Sequence, residues 1–305
     1  MRNKNFEEPT RIWAGGYFAL VLLALCISPF VFVRASDSDS ALLETGGAKD
    51  VHVKRAAPTE IKIVQYNMRW RGGGDLTALI KLLKDDEVIG GAAVIGLQEV
   101  DRNKKRTNRI NTAKKMAEEL GMHYAWAAPP PATGKESDEE ETGVAILSPY
   151  PLTDVTRIVL PNPGPGGRRR VALGATVHIG EESLRVYSVH AEIRTSNEKR
   201  TGQLQAVLDD LQSNHLKVKH SVVLGDFNTL TPKDKNATSR LFTDKEFRTP
   251  FSNDAPTWRT FIIQLKLDWV WLRGLDVKGY GIDKKVEMSD HWPLWAVVSM
   301  KDGNG

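Results

Sequence analysis

Cysteine is almost missing from this chain: Cys26 is the one example in 305 residues. It lies inside an N-terminal apolar run, so no disulfide framework holds the remainder together. A domain of this size needs none, and the lack of cystines does not argue against export. An excess of charge of one sign is lacking too. The formal balance is +4, and setting aside residues 1–35, with four basic and two acidic side chains, leaves 38 basic against 36 acidic. That near-balance excludes a protein that holds nucleic acid chiefly by bulk charge. No internal repeat is found. Long hydrophobic runs are limited to one, the uncharged residues 12–33, preceded by Arg2, Lys4 and Arg11 and followed by Arg34 and "SDSDS".

A basic start, an apolar middle and small residues at a cut describe a secretory signal, and Val33 and Ala35 supply the small residues. The run is also nearly long enough to span a bilayer. Residues 1–35 are therefore expected to be a signal peptide or an N-terminal membrane anchor. On either reading the protein is extracytoplasmic, secreted or membrane-anchored, with membrane association through residues 12–33. Residues 36–58 are small, polar and without periodicity, and read as a linker. The 41% hydrophobic content fits a globular domain with a real core, placed at residues 59–301.

In that domain strand-like and helix-like segments alternate. "EIKIVQYNM", "AAVIGLQEV", "GVAILS", "HSVVLGDFN", "LDWVWLRGL" and "HWPLWAVVSM" read as strands. "VALGATVHIG" and "ESLRVYSVHA" form a hairpin turning at Gly180-Glu181. Residues 75–85 have helical spacing with Asp75 as cap, 109–121 form a helix closed by Gly121, and 196–214 one capped by Ser196. The hairpins are too many for a purely parallel sheet. The expected class is α/β, with two sheets flanked by helices.

Several strands carry polar groups at an end. Asn67, Gln98-Glu99, His190, Asp226 and Asn228 close strands, whereas Asp268 and Asp290-His291 open them. Side chains two apart on a strand share a face, so Asp226 and Asn228 point into one cleft while Phe227 packs behind. Ionised carboxylates converging on apolar strand ends are costly unless something positive sits among them. A hard divalent cation bound by oxygen suits such a set, and magnesium suits one with open positions for substrate.

The series YN, QE, a late-strand histidine, GDFN, LDWVW and SDHWP, over roughly residues 60–300, resembles the endonuclease/exonuclease/phosphatase (deoxyribonuclease I-like) family. The resemblance implies a four-layer sandwich, two packed mixed β-sheets flanked by helices. It implies a metal-dependent hydrolase of phosphate esters that uses Mg²⁺, with Mn²⁺ as a substitute, and acts as a monomer. Glu99 would be the principal metal ligand, with Asn67 and Asp290 near the metal. Asp226 would orient or deprotonate the attacking water, and Asn228 would hold that water or a phosphate oxygen. His291, oriented by Asp268, would contact the scissile phosphate beside a second histidine, His190. Glu141 would orient His190, as in the deoxyribonuclease branch, and Arg170 would reach the substrate phosphate. The substrate is expected to be nucleic acid, or alternatively a phospholipid or inositol phosphate. The basic loop with Lys104, Lys105, Arg106 and Arg109 would meet a nucleic-acid backbone or a headgroup, and Trp258 and Phe261 would touch lipid or stack on a base. A non-enzymatic module predicts missing catalytic residues, and none of the expected ones is missing.

Overall fold

Alternation of apolar side chains decides the layering. In strand β2 (Ile61–Asn67) Ile61 and Ile63 belong to one buried cluster while Val64 and Tyr66 belong to another. A strand buried on both faces must be covered on both. The computed structural model describes residues 41–47, 58–132 and 140–300, and the expectations for the signal or anchor segment, for most of the linker and for most of the acidic run at 135–142 lie outside them. Residues Ser36–Gly305 make one compact unit. No helix among the described residues is long and apolar enough to cross a membrane.

One sheet has seven strands in the order β1 (Leu43–Gly47), β4 (His123–Ala127), β5 (Glu141–Ser148), β3 (Val94–Arg102), β2, β14 (Leu294–Ser299), β13 (Asp276–Ile282). The other has five, in the order β12 (Asp268–Arg273), β9 (His220–Asp226), β8 (Glu182–His190), β7 (Val171–Ile179), β6 (Leu152–Val159). A separate two-stranded hairpin joins β10 (Trp258–Arg259) to β11 (Gln264–Leu265). The sheets face each other across a core that includes Ile63, Val94, Ile146, Val186, Leu224, Val270 and Ala296. Helices α1 (Gly73–Asp85) and α2 (Thr112–Leu120) cover the seven-stranded sheet through Leu76, Leu79, Leu83, Met116 and Ala117. Helices α3 (Asn197–Asn214) and α4 (Pro232–Thr243) cover the five-stranded one through Leu204, Leu208 and Phe242, with Phe227, Trp269 and Trp271 stacked against Phe242 or one another. This is the expected four-layer α/β sandwich.

Each sheet holds one parallel pair, β2 with β3 and β8 with β9, joined through α1 and α3 respectively. The carboxyl ends of β2, β8 and β9 deliver Asn67, His190 and Asp226, whereas Gln98-Glu99 do not close β3 but lie at a bulge in its middle, the strand running on to Arg102. The hairpin turns at Gly180-Glu181 as its sequence indicates, with Ile179 opposite Glu182. Ser196 caps α3, and Gly121 closes α2 at φ 64.

Four local expectations are corrected. Asp75 lies in the first turn of α1 without capping it, because Gly72 holds the N-cap position with no side-chain bond. Within the expected linker, Leu43–Gly47 is an edge strand on β4, held by Tyr124 and Arg102 on Glu44. The last strand starts at Leu294, beyond Pro293, and His291 sits in the preceding loop. Asn228 follows the end of β9 at φ 53, so a turn and not strand alternation sets its direction. Helix α4 escapes a periodicity reading because its apolar stripe is thin, although the Thr231–Asp234 capping box marks its start. Strand β13 escapes it because Gly279 and Gly281 dilute its pattern.

Gly225 bends the chain into the site at φ 145, and a Cβ there would lie 2.0 Å from the Val189 carbonyl oxygen. Neither the conformation nor the space admits a side chain. Gly225→Ala should destabilise the domain by about 3 kcal/mol or more through strain and overpacking. A thermal melt should show a drop of about 6 °C or more, and an unchanged melting temperature would contradict the close approach.

Candidate active site

A buried polar ladder crosses between the sheets beneath the strand ends. Gln65 Nε2 donates to Gln98 Oε1 at 2.8 Å and to Asp268 Oδ1 at 3.0 Å. Gln98 Nε2 donates to Ser188 Oγ at 3.1 Å, and Ser188 donates to the Leu97 carbonyl. All four side chains are buried, so their mutual bonds fix one register between the sheets. Gln65 and Ser188 were not singled out from sequence, although polar residues within otherwise apolar strands were a visible signal.

On this ladder stands a carboxylate–imidazole pair. Asp268 Oδ2 lies 2.8 Å from His291 Nδ1, and the far ring nitrogen Nε2 lies 3.8 Å from Asp226 Oδ2. Burial opposes a charged imidazole, but Asp268, Asp226 and Asp290 together outweigh it and raise the His291 pKa to about 9. Asp226 is held from two sides: Asn67 Nδ2 donates to Oδ2 at 3.1 Å and the Asn228 backbone N–H to Oδ1 at 3.0 Å. Burial is the chief cause that pushes Asp226 up to about 7, with Asp268 adding to it and His291 opposing. The Asn228 amide nitrogen donates to the Ala191 carbonyl, which locks the turn after β9.

Glu99 sits on a bulge in β3 at φ 57, where pairing with β5 slips between Gln98 and Val100. The bulge turns its side chain toward Asn67, whose Nδ2 lies 3.3 Å from Glu99 Oε1. Asn67 therefore bridges Glu99 and Asp226 with its N–H groups, while its oxygen accepts from the Arg69 backbone. In this arrangement its N–H groups orient the two carboxylates. Asp290 accepts from Trp258 Nε1 at 3.1 Å and from Ser289 Oγ, and pairs with Arg69 at 3.2 Å.

Two expectations about the second histidine change. Glu141 does not orient His190: its carboxylate accepts from Arg102 Nε at 3.3 Å. Arg170 takes that place, its Nη1 lying 3.3 Å from His190 Nδ1 and its Nε 3.2 Å from Glu192 Oε2. Glu192, fully buried, is also gripped by Arg168 through both oxygens. A guanidinium only donates, so His190 Nδ1 accepts and the neutral ring carries its proton on Nε2, 3.6 Å from Asp226 Oδ2. Burial first, then the charges of Arg170, His291 and Arg168, hold the His190 pKa well below the usual histidine range. Glu192 was missed, yet the hairpin register that sets Val171 opposite His190 already brings the arginine run beside "VHAE".

The basic loop is largely engaged within the molecule. Arg106 makes two bonds to Asp101 at 2.7 and 2.9 Å, and Arg109 and Lys104 pair with Glu140. Those three charges are met by acids of this chain.

The donor set fits a hard divalent cation. Glu99, Asp226, Asp268 and Asp290 bring four carboxylates together against the cations His291 and Arg69. Asp226, Asp268 and His291 each offer an atom within 4.8 Å of the others, but Asp268 and His291 are already bonded to each other.

The profile described as the Endonuclease/Exonuclease/phosphatase family matches residues 64–291, and the chain belongs to that family. An endonuclease/exonuclease/phosphatase from Beutenbergia cavernae superimposes with a TM-score of 0.62 at 19% identity, over 79% of this chain and 72% of that one. ANGEL2, a 2',3'-cyclic phosphatase, gives 0.61 at 15% identity, over 79% and 95%. The human Nocturnin catalytic domain with bound sulfate gives 0.59 at 18%, over 84% and 97%. These likenesses are of fold. None of the curated proteins compared matches the chain. The family hydrolyses phosphate esters, and the chain is a hydrolase of that class.

Removing Arg170 should release His190. In Arg170→Met the His190 pKa should rise, because the largest positive neighbour is lost while burial stays. A histidine-resolved NMR titration reads this directly, and an unchanged or lower value would contradict the pairing.

Proposed function

We propose that this chain is a Mg²⁺-dependent phosphodiesterase acting outside the cytoplasm on nucleic acid or on a phospholipid headgroup. The observation that carries the reading is the His291–Asp268 pair facing Asp226 on one rim, with Glu99 and Asp290 beside it. Glu99 and Asp290 would hold the cation, and Mn²⁺ suits the same oxygen donors. When bound, the cation would neutralise charge on the phosphate and position it.

The chain's own groups divide the remaining work. Asp226, fixed by Asn67 and the Asn228 N–H, accepts the proton of the attacking water. His291, kept charged by Asp268, meets the negative charge that builds on the phosphate and supplies a proton to the leaving oxygen. His190, neutral and oriented by Arg170, directs an N–H toward the same space. The uncharged run at 12–33, as signal or anchor, supports export. Pairing of the basic loop with Asp101 and Glu140 weakens the case for a long nucleic-acid track and leaves a lipid headgroup open as substrate.

Purified protein should be offered plasmid DNA, RNA, sphingomyelin liposomes, inositol phosphates and bis-p-nitrophenyl phosphate. Hydrolysis of at least one should require Mg²⁺ or Mn²⁺ and stop with chelator. Asp226→Ala and His291→Ala should each lose about 10²-fold or more in kcat, and full activity in either would overturn the assignment. The pH profile of kcat/KM should rise as Asp226 loses its proton near 7 and fall as His291 loses its proton near 9. A rate that keeps climbing beyond pH 10 or so would exclude His291 as the acid.

A further inference from the structure

The β10–β11 hairpin ends in a tip that the mechanism does not use. Among the described residues six large apolar side chains are exposed, and three are consecutive here: Phe261 at 103%, Ile262 at 82% and Ile263 at 48%. Exposed apolar residues scattered singly need no explanation, whereas a run at the apex of a projecting turn does. The tip also closes its own polar groups. The Thr260 N–H donates to the Ile263 carbonyl at 2.8 Å, and the Thr260 hydroxyl oxygen accepts from the N–H groups of Ile262 and Ile263 at 3.3 and 3.1 Å. A segment that leaves water must satisfy its backbone internally, and this one does so at three N–H groups.

The base of the hairpin is tied to the catalytic groups. The Thr257 hydroxyl accepts from the Asp268 N–H at 2.9 Å, and the Trp292 N–H donates to the Thr257 carbonyl. Trp258 bonds Asp290 through its indole and bridges His291 through its backbone, and the Arg259 N–H donates to the Asp290 carbonyl. Three residues therefore separate an anchor of the Asp268–His291 pair from a fully exposed phenylalanine. Arg259 and Lys284 both lie over the Trp292 ring, at 5.2 and 4.9 Å, against one acid, Glu287, on Arg259.

We propose that residues 260–263 insert into the surface of a lipid bilayer and so apply the catalytic mouth to lipid headgroups. The catalytic half of this inference rests on the phosphodiesterase reading; the binding half does not. Three features select a bilayer as the occupant. The tip is convex, whereas docking to a globular partner needs a matching hollow. Two of its three side chains are aliphatic, which suits acyl chains and offers no face for stacking on bases. The collar of Arg259 and Lys284 suits anionic headgroups. The uncharged run 12–33 points to the same partner from sequence.

The test uses residues 36–305, the compact unit without the apolar run, sedimented with vesicles of equimolar phosphatidylcholine and phosphatidylserine. The fragment should co-sediment and keep part of its binding in high salt, which screens the collar but not the tip. The double variant Phe261→Ser/Ile262→Ser should lose about tenfold or more in partitioning. Its melting temperature should be unchanged, since these side chains project into solvent. Leu216→Ser, at 69% exposure on another part of the surface, should bind as the parent does. A fragment that stays in the supernatant, a double variant that binds like the parent, or equal loss in Leu216→Ser overturns the proposal. So does loss of single-stranded DNA binding in the double variant with vesicle binding intact. Hydrolysis of a soluble diester without vesicle binding defeats this inference alone; tip-dependent vesicle binding without hydrolysis of any diester defeats the phosphodiesterase reading alone.

Discussion

Asp268 is a fully buried carboxylate at the meeting of both sheets, and the surrounding structure is organised to keep it there. An uncompensated charge in that position costs several kcal/mol. The charge is met by Gln65 from the seven-stranded sheet and His291 from the loop before β14, while the Thr257 hydroxyl oxygen accepts from the Asp268 backbone N–H. Each partner comes from a different part of the chain, so the ion can be buried only when the sandwich has closed in one register. The same contacts that solve the burial problem hold His291 charged and aimed. Stability and chemistry thus rest on one carboxylate.

The site is reached through unusual backbone at three points. Glu99 at φ 57, Asn228 at φ 53 and Gly225 at φ 145 all lie outside the strand geometry that precedes them. Regular strands would send alternate side chains into the cores above and below. The bulge at Glu99 and the turn after Asp226 redirect polar groups to the rim between the sheets, where water and substrate have access. The cores pay for this local strain.

The second histidine shows how one role can be filled by different chemistry. A carboxylate beside an imidazole favours the cation, whereas a guanidinium favours the neutral ring. With Arg170 on Nδ1, and Glu192 holding both Arg170 and Arg168, His190 is built as a neutral donor next to a histidine built as a cation. Burial and then Arg170 hold one imidazole neutral, while the surrounding carboxylates hold the other charged against burial, which suits the two to different tasks.

The sequence by itself determined the layers and the main polar set. Near-continuous apolar runs in β2, β3, β8 and β9 required cover on both faces, and Asn67, Glu99, His190, Asp226, Asn228, Asp268, Asp290 and His291 were legible because polar residues within or beside apolar strands are costly unless they act together. The weak elements, α4 and β13, were not legible, since their apolar content is too thin to carry a period and neighbours supply their packing. Pairing was not legible either. Glu141 was the expected partner of His190 and Arg170 was expected at the substrate phosphate; the folded register set Arg170 on the histidine instead, because Glu141 opens a strand beside Arg102 whereas Arg170 lies across the hairpin from "VHAE". Local pattern fixes which residues must leave water; which of them meet depends on strand order and register, and those are settled by long-range packing.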